Sequence, residues 1–381
     1  MKKIMILGAG IYQVPLIKKA KEMGLYVICV SIPGDYPGFK FADKTYYIDT
    51  RNYEEILAVA KEEKVDGIVT TGTDVALKTV GYVNNEMHLA GISYESAALC
   101  ADKSLMKDAF AKGCVNTAEH KRVYSSEEAA TFMEQLGDSI VIKPVDSSGS
   151  RGISIVSKRD DLEEAYKKAA CISKQEYVIA ERFIDGEEIG IDCFIADGSI
   201  KFIAPHGKIN YFNGKTNVPV GHYFPLDASE ELISNINAEA ERVIRALKLD
   251  NCAVNMDVII RDNKPFILEA SGRCGATCIP ELISMHYGFN FYEEMLKCAL
   301  GEKVEISLKD KTPCVGKLLY SEKSGTIISQ RAEESEDVKV DFDYKVGDTI
   351  RKFEVGPDRI GQIVAKGNAM DCEKKAEIVV E

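Results

Sequence analysis

Two hydrophobic periods alternate along residues 1 to about 95. Ile4 to Leu7, Tyr26 to Val30 and Gly67 to Thr70 are almost continuously apolar, the mark of short strands buried on both faces. Between them, Val14 to Met23, Tyr53 to Glu63 and Val75 to Met87 carry apolar residues at helical spacing. Alternation of this kind predicts a parallel sheet covered by helices, a Rossmann-like domain over residues 1–100.

The pattern changes after Asp102. Residues up to about Leu136 read as mainly helical with a linker, and Ser125 with Glu128 predicts a capping box. A strand–loop–strand unit over Ile140 to Val156 follows, then an amphipathic helix over Arg159 to Ala170. Tyr177 to Ile184 and Gly190 to Ala196 read as strands, and Glu230 to Leu247 as a long helix laced with i,i+4 charge pairs. Residues 257–270 form two apolar runs around an Asp-Asn-Lys-Pro turn, a predicted hairpin. From Thr312 onward, Gly316 to Tyr320, Thr326 to Ser329 and Arg359 to Ala365 suggest a small β-rich unit. The fold class expected is α/β followed by α+β.

Composition narrows the function. The chain has 381 residues and a formal net charge of −12, which argues against nucleic-acid or anionic-membrane surfaces. Any phosphate site is then a local cationic pocket for a small polyanion. The opening Met-Lys-Lys-Ile-Met-Ile-Leu-Gly has an apolar run too short for a signal segment or a membrane span, and a cytoplasmic location is expected. Eleven cysteines without a C-x-x-C pair read as reduced core residues. Cys274 and Cys278 lack a histidine at ligand spacing, so no zinc site is expected. Gly8-Ala9-Gly10 looks like a dinucleotide turn, but Gln13 stands at the third glycine position and the second strand runs into Ser31-Ile32-Pro33 instead of an acid. An oxidoreductase reading loses its support there.

Three segments carry candidate chemistry. In the first, a strand ends in Lys143 and opens a Ser/Gly/Arg loop. Glycines let the backbone approach an anion, serines add hydroxyl donors, and Lys143 and Arg151 add positive charge, a combination suited to polyphosphate. The loop joins two strands, unlike a P-loop, which predicts a flap closing over phosphates. An ordinary Ser/Gly hairpin loop would use the same residues, so the other segments decide. In the second, a hairpin centred on Asn263 sets Asp257 opposite Glu269 with Cβ atoms about 4.5–5.5 Å apart. Opposed carboxylates on a sheet call for a cation between them, and a hard divalent ion shared with substrate phosphates meets that need. Arg273, in the small-residue turn Ser271 to Ala276, offers a bidentate grip on a phosphoryl group, or a partner for a nearby acid. In the third, Glu181 ends a strand, Arg182-Phe183-Ile184 forms an extended apolar hinge, and Glu188 enters the next strand. Such a hinge can meet a purine edge while an acid holds ribose hydroxyls.

The order of these parts, from about Asp102 to Gly301, resembles the ATP-grasp superfamily. That resemblance implies ATP and Mg²⁺ (or Mn²⁺) as cofactors. Lys103 looks like the first ATP-binding lysine and Lys143 the second, with Ser148, Gly149, Ser150, Arg151 and Gly152 as the phosphate flap. Glu181, Arg182, Phe183 and Ile184 resemble the adenine hinge, and Glu188 the ribose carboxylate. Asp257 and Glu269 are similar to the metal carboxylates, followed by Ser271 where many members carry Asn. Arg273 and Lys143 fall in the catalytic positions beside the transferred phosphoryl group. His206, Lys208, Asn210 and His222, in the Gly/Pro/Asn-rich stretch Pro205 to Pro225, fall where grasp enzymes often place substrate or phosphate contacts.

The layout implied is a domain over residues 1–100, a grasp domain over 101–305 and a β-rich domain over 306–381. Within the grasp domain, the flap-bearing lobe covers about 110–185 and the metal-bearing lobe about 186–305. It resembles the amino-acid ligase and carbamoyl-phosphate-synthetase-like branch. The expectation is an ATP-dependent ligase that forms an acyl phosphate from a small carboxylate and couples it to an amine. An ATP-dependent carboxylase, a phosphoribosylamine-type ligase and a non-catalytic nucleotide-binding protein are the alternatives. Small-molecule substrates and a homodimer are expected, with no nucleic-acid or membrane partner.

Overall fold

The computed structural model describes residues 1–147, 151–212, 217–309 and 311–381. The chain opens with β1 (Lys3–Leu7), α1 (Val14–Glu22), β2 (Tyr26–Ser31), β3 (Lys44–Tyr47), α2 (Tyr53–Glu63), β4 (Gly67–Val69) and α3 (Leu77–Met87). The four strands form a parallel sheet in the order β3-β2-β1-β4. Strand β3, half polar and only four residues long, gave no hydrophobic signal of its own. In the first turn, the Gln13 side chain folds back so that Gly10 N–H donates to it at 2.9 Å while its amide donates to the Thr71 carbonyl. A Cβ at Gly8 would come within 3.0 Å of this side chain, so Gln13 fills the hollow that a dinucleotide pyrophosphate needs.

Next come α4 (Tyr94–Ala101), α5 (Lys103–Lys112), β5 (His120–Val123), α6 (Ser126–Leu136), β6 (Ile140–Lys143), β7 (Ser154–Val156), α7 (Leu162–Ala170) and β8 (Val178–Arg182). Strand β5 lies inside the stretch read as helical with a linker. It joins an antiparallel sheet ordered β5-β8-β6-β7. Ser125 caps α6 by accepting from Glu128 N–H at 3.2 Å, while Glu128 reaches back to Tyr124 N–H one residue before the expected partner. This small sheet and its helices enclose a separate core of residues such as Phe132, Ile142, Leu162 and Val178. A lobe with its own core can move as a body.

The remainder runs β9 (Glu187–Ala196), β10 (Ser199–Phe212), β11 (Asn217–Phe224), α8 (Glu230–Ala246), β12 (Cys252–Arg261), β13 (Lys264–Ser271), α9 (Ile279–Tyr287) and α10 (Phe291–Ala299), then β14 (Cys314–Leu319), β15 (Gly325–Ala332), β16 (Val338–Phe342), β17 (Thr349–Ile350), β18 (Gly361–Lys366) and β19 (Ala376–Val380). An eight-stranded sheet in the order β13-β12-β9-β10-β11-β14-β18-β16 carries the metal-candidate hairpin at one edge and extends into the last eighty or so residues at the other. Strands β17-β15-β19 form a separate small sheet. Residues 205–225, Gly/Pro/Asn-rich in the sequence, are mostly the strands β10 and β11. Pro205 and Pro219 are accommodated within paired strands, the latter beside a register shift at Ile209/Asn210. One continuous core joins Met5 and Ile28 of the first sheet to Ile191 and Val254 of the large one and to Val243 of α8, so the first domain is held firmly against the hairpin lobe.

Candidate active site

The β12–β13 hairpin turns at Asp262-Asn263, both with left-handed backbone (φ 51° and 60°), the conformation of a two-residue primed turn. Arg261 therefore pairs with Lys264, and the hairpin is centred half a residue before Asn263. Left regular, that register would oppose Asp257 to Leu268. A bulge between Asp257 and Val258 adds one residue on β13 and brings Asp257 opposite Glu269. Asn255 faces Ser271 in the same register. The opposition expected from the sequence is therefore present, produced by a turn plus a bulge.

Each carboxylate meets an ammonium from another element. Lys103, at the start of α5, lies 3.0 Å from Glu269 Oε2 and donates to the Ser147 carbonyl at 2.7 Å. Lys208 on β10 bridges Glu188 at 2.7 Å and Asp257 at 2.5 Å. Burial alone would raise the Asp257 carboxyl, but Lys208 outweighs it and holds the group below the usual carboxylate range. Asp257, Glu188 and Glu269 stay 32%, 38% and 38% exposed, so their oxygens face an open side. Hard carboxylate oxygens with no thiol among them fit Mg²⁺ or Mn²⁺.

Arg273 is gripped. Its Nε and Nη2 donate to the two oxygens of Asp74 at 2.8 and 3.0 Å, and Nη1 donates to Asn255 Oδ1 and the Cys274 carbonyl. Ser271 Oγ donates to the same Asp74 at 2.6 Å. Burial pushes the Asp74 carboxyl up, yet the Arg273 guanidinium keeps it lowered. Behind this pair, Asp192 accepts from Gly275 N–H at 2.8 Å, Asn255 Nδ2 at 2.9 Å and His206 Nε2 at 3.1 Å. His206 fits because Gly190 faces it across the strands, where a Cβ would sit 2.1 Å from the ring. His206 and His222 are buried edge to face with ring centroids 4.7 Å apart, not exposed on a loop. Burial, then the charges of His206 and Lys208, push His222 well below its ordinary value.

The candidate hinge and flap segments add a further carboxylate and lysines. Glu181 on β8 is 2.7 Å from Lys143 and 3.3 Å from Lys107. Arg182 turns away to Glu119 and Asp138, the Phe183 N–H bonds the Ser139 carbonyl, and Ile184 is buried. The flap's stem is tied by Ser147 Oγ donating to the Arg151 carbonyl at 3.1 Å, and Gly152 takes φ +79°, where a glycine is favoured. Ser148, Gly149 and Ser150 lie outside the described residues.

Four participants escaped the sequence reading: Asp74, Lys107, Asp192 and Asn255. Asp74 had a positional clue, since ligands of open parallel sheets gather beyond the carboxyl ends of the strands and it follows β4 by five residues. Lys107 lies one turn after Lys103 on the inward face of α5.

Comparison with known proteins bears on the family and the fold. The ATP-grasp domain family matches residues 100–277. The crystal structure of phosphoribosylglycinamide synthetase from Anaerococcus prevotii superposes with TM-score 0.86 at 32% identity, covering 100% of both chains. Formate-dependent phosphoribosylglycinamide formyltransferase of Methanocella arvoryzae is 24% identical, over 98% of this chain and 90% of its own length. Alanine–anticapsin ligase of Bacillus subtilis is 25% identical over 60% of this chain, which spans 53% of that protein. Among the described residues, no helix is long and apolar enough to cross a membrane.

Proposed function

Because the chain belongs to the ATP-grasp family and is an ATP-dependent C–N ligase, we propose that it joins a small carboxylate to an amine through an acyl phosphate. The observation that carries this reading is the Asp257–Glu269 opposition, with one ammonium on each carboxylate and Lys143 at the flap stem. ATP would lie between the lobes, its adenine at Glu181 to Ile184, its ribose at Glu188 and its phosphates at Lys103, Lys143 and the loop from Ser148 to Gly152. Asp257 and Glu269 would hold a divalent ion, which when bound neutralises phosphate charge.

The substrate carboxylate attacks the γ-phosphoryl group, ADP leaves, and the amine then displaces phosphate from the acyl phosphate. No nucleophilic side chain is needed, because positioning and charge neutralisation lower the barrier. Lys103 and Lys143 orient the phosphates and offset their charge. Arg273, whose Nε and Nη2 are held by Asp74, offers the acyl phosphate its charge and its remaining N–H, not a bidentate edge. Lys208 steadies Asp257 and Glu188, while His206, bonded to Asp192, packs against His222 in the buried layer. Closure of the flap lobe excludes water that would hydrolyse the intermediate.

The test is ADP and phosphate release with pooled carboxylates and amines, with product identified by mass. Amine-dependent release is expected, and release indifferent to every amine would defeat the reading. The full-length match to a phosphoribosylglycinamide synthetase favours a second version, in which the amine is a phosphoribosylamine. Turnover that needs the phosphoribosylated amine and ignores amino-acid amines selects that version.

A further inference from the structure

Glu181 is a buried carboxylate with two ammoniums, and the two differ in kind. Lys107 is wholly buried, with 0% exposure, and its donors are also claimed by Thr117 Oγ1 and, at 3.4 Å, the Ile267 carbonyl. Thr117 in turn donates to that carbonyl at 2.6 Å. Lys107 therefore braces three segments at once: its own helix α5, the hinge strand β8, and β13 two residues before Glu269. Lys143 ends β6 beside the flap stem, and among the described residues its ammonium meets only Glu181. Glu181 Oε1, the oxygen nearest Lys143, has no aligned hydrogen bond.

Two ammoniums against one carboxylate leave one positive charge in excess within a dry site. Buried charge is costly unless compensated, and an arriving polyanion compensates it. Resting on the ATP-site reading above, we propose that Lys107 is the fixed counter-ion of Glu181, whose presence frees Lys143 to leave that carboxylate for a nucleotide phosphate. Lys107 is thus a positioning residue, acting through Glu181 and Lys143 without touching the nucleotide. Burial lowers its ammonium to about 8 against the pull of Glu181, so it still carries its charge at neutral pH. Without Lys107, Glu181 would hold Lys143 as its sole partner, and the phosphate contact would be lost while the adenine hinge remained.

The full chain titrated calorimetrically with MgADP and with adenosine separates these effects. Wild type is expected to bind MgADP more tightly than adenosine, and no MgADP binding would sink the ATP-site reading itself, whatever Lys107 does. Given wild-type binding, Lys107→Met should lower the MgADP-to-adenosine affinity ratio about tenfold or more, the order expected for losing one charge-assisted contact. An equal loss for both ligands, or no loss, overturns the proposal, because a purely structural lysine would not single out the phosphates. Should Lys107→Met fail to fold, the double variant Lys107→Met/Glu181→Gln removes the charge together with its partner. Its ratio should return to the wild-type value, and a ratio still depressed overturns the proposal.

Discussion

Two clusters of lysine and carboxylate contribute to the proposed nucleotide site, and they are built in opposite ways. Around Glu181 the carboxylate is 2% exposed and shared by Lys107 and Lys143. On the hairpin, Asp257 and Glu269 each have one lysine and keep about a third of their surface open. A dry cluster with surplus positive charge fixes geometry and attracts an anion, whereas an open cluster can exchange a lysine for a metal ion. The proposed site would thus have one wall that holds shape and another that exchanges partners.

The sharpest way to break this comparison is to remove the exchanging wall. Glu269→Ala should lower kcat by on the order of 10²–10³-fold, as loss of a group that organises phosphate charge does, with little change in melting temperature because the carboxylate is partly solvated. Steady-state ADP release alongside thermal melts reads both, and unchanged turnover removes Glu269 from the site. Lys143→Ala should cost about 10²-fold in kcat/KM for ATP, since one ammonium contact to the phosphates is lost. Equal turnover in that variant would place the phosphates elsewhere.

Asp74 tests whether the two walls depend on the first domain. Asp74→Ala leaves the Arg273 guanidinium with two of its four hydrogen bonds and Ser271 without its acceptor. Loss of about 1–3 kcal/mol in urea unfolding is expected for breaking a part-buried charged pair, with about tenfold lower kcat. A stable variant with normal kcat would show that Arg273 needs no positioning. At Gly190 the effect is confined to packing. A methyl there meets the His206 ring at 2.1 Å, and Gly190→Ala should destabilise by about 1–3 kcal/mol through overpacking.

How far the sequence disclosed these walls follows from how local each signal is. The hairpin was legible because Asp262-Asn263 supplies the left-handed turn and apolar runs flank it. Its bulge was not, and the correct opposition of Asp257 and Glu269 came from a centre placed half a residue away. Strands β10 and β11 were hidden because Pro205, Gly207, Pro219 and Gly221 interrupt their alternation, and only pairing with β9 and β14 on either side sustains them. The pairing of Asp74 with Arg273 was illegible because the two are 199 residues apart along the chain. The Ser271 departure from the usual Asn gains a physical account in the same contact: its hydroxyl is turned to Asp74.

The smallest effect separates the walls by acid stability. Burial raises the Glu181 carboxyl, but Lys107 and then Lys143 outweigh it and leave the group below its ordinary value. A carboxylate lowered in the folded state binds fewer protons there than in the unfolded chain, so its contribution is present above the ordinary carboxylate range and fades as pH falls through the lowered value. Lys107→Met removes the leading opposing charge, so Glu181 should protonate at higher pH and the acid limb of the stability curve should begin earlier. Lys107 itself titrates near 8 and adds nothing to this limb. Denaturant unfolding of wild type, Lys107→Met and Lys107→Met/Glu181→Gln across the acid range isolates the term, because the double variant lacks the titrating carboxyl. Coincident acid limbs for all three would mean that Glu181 does not depend on Lys107 for its charge, and the dry wall would then owe its shape to packing alone.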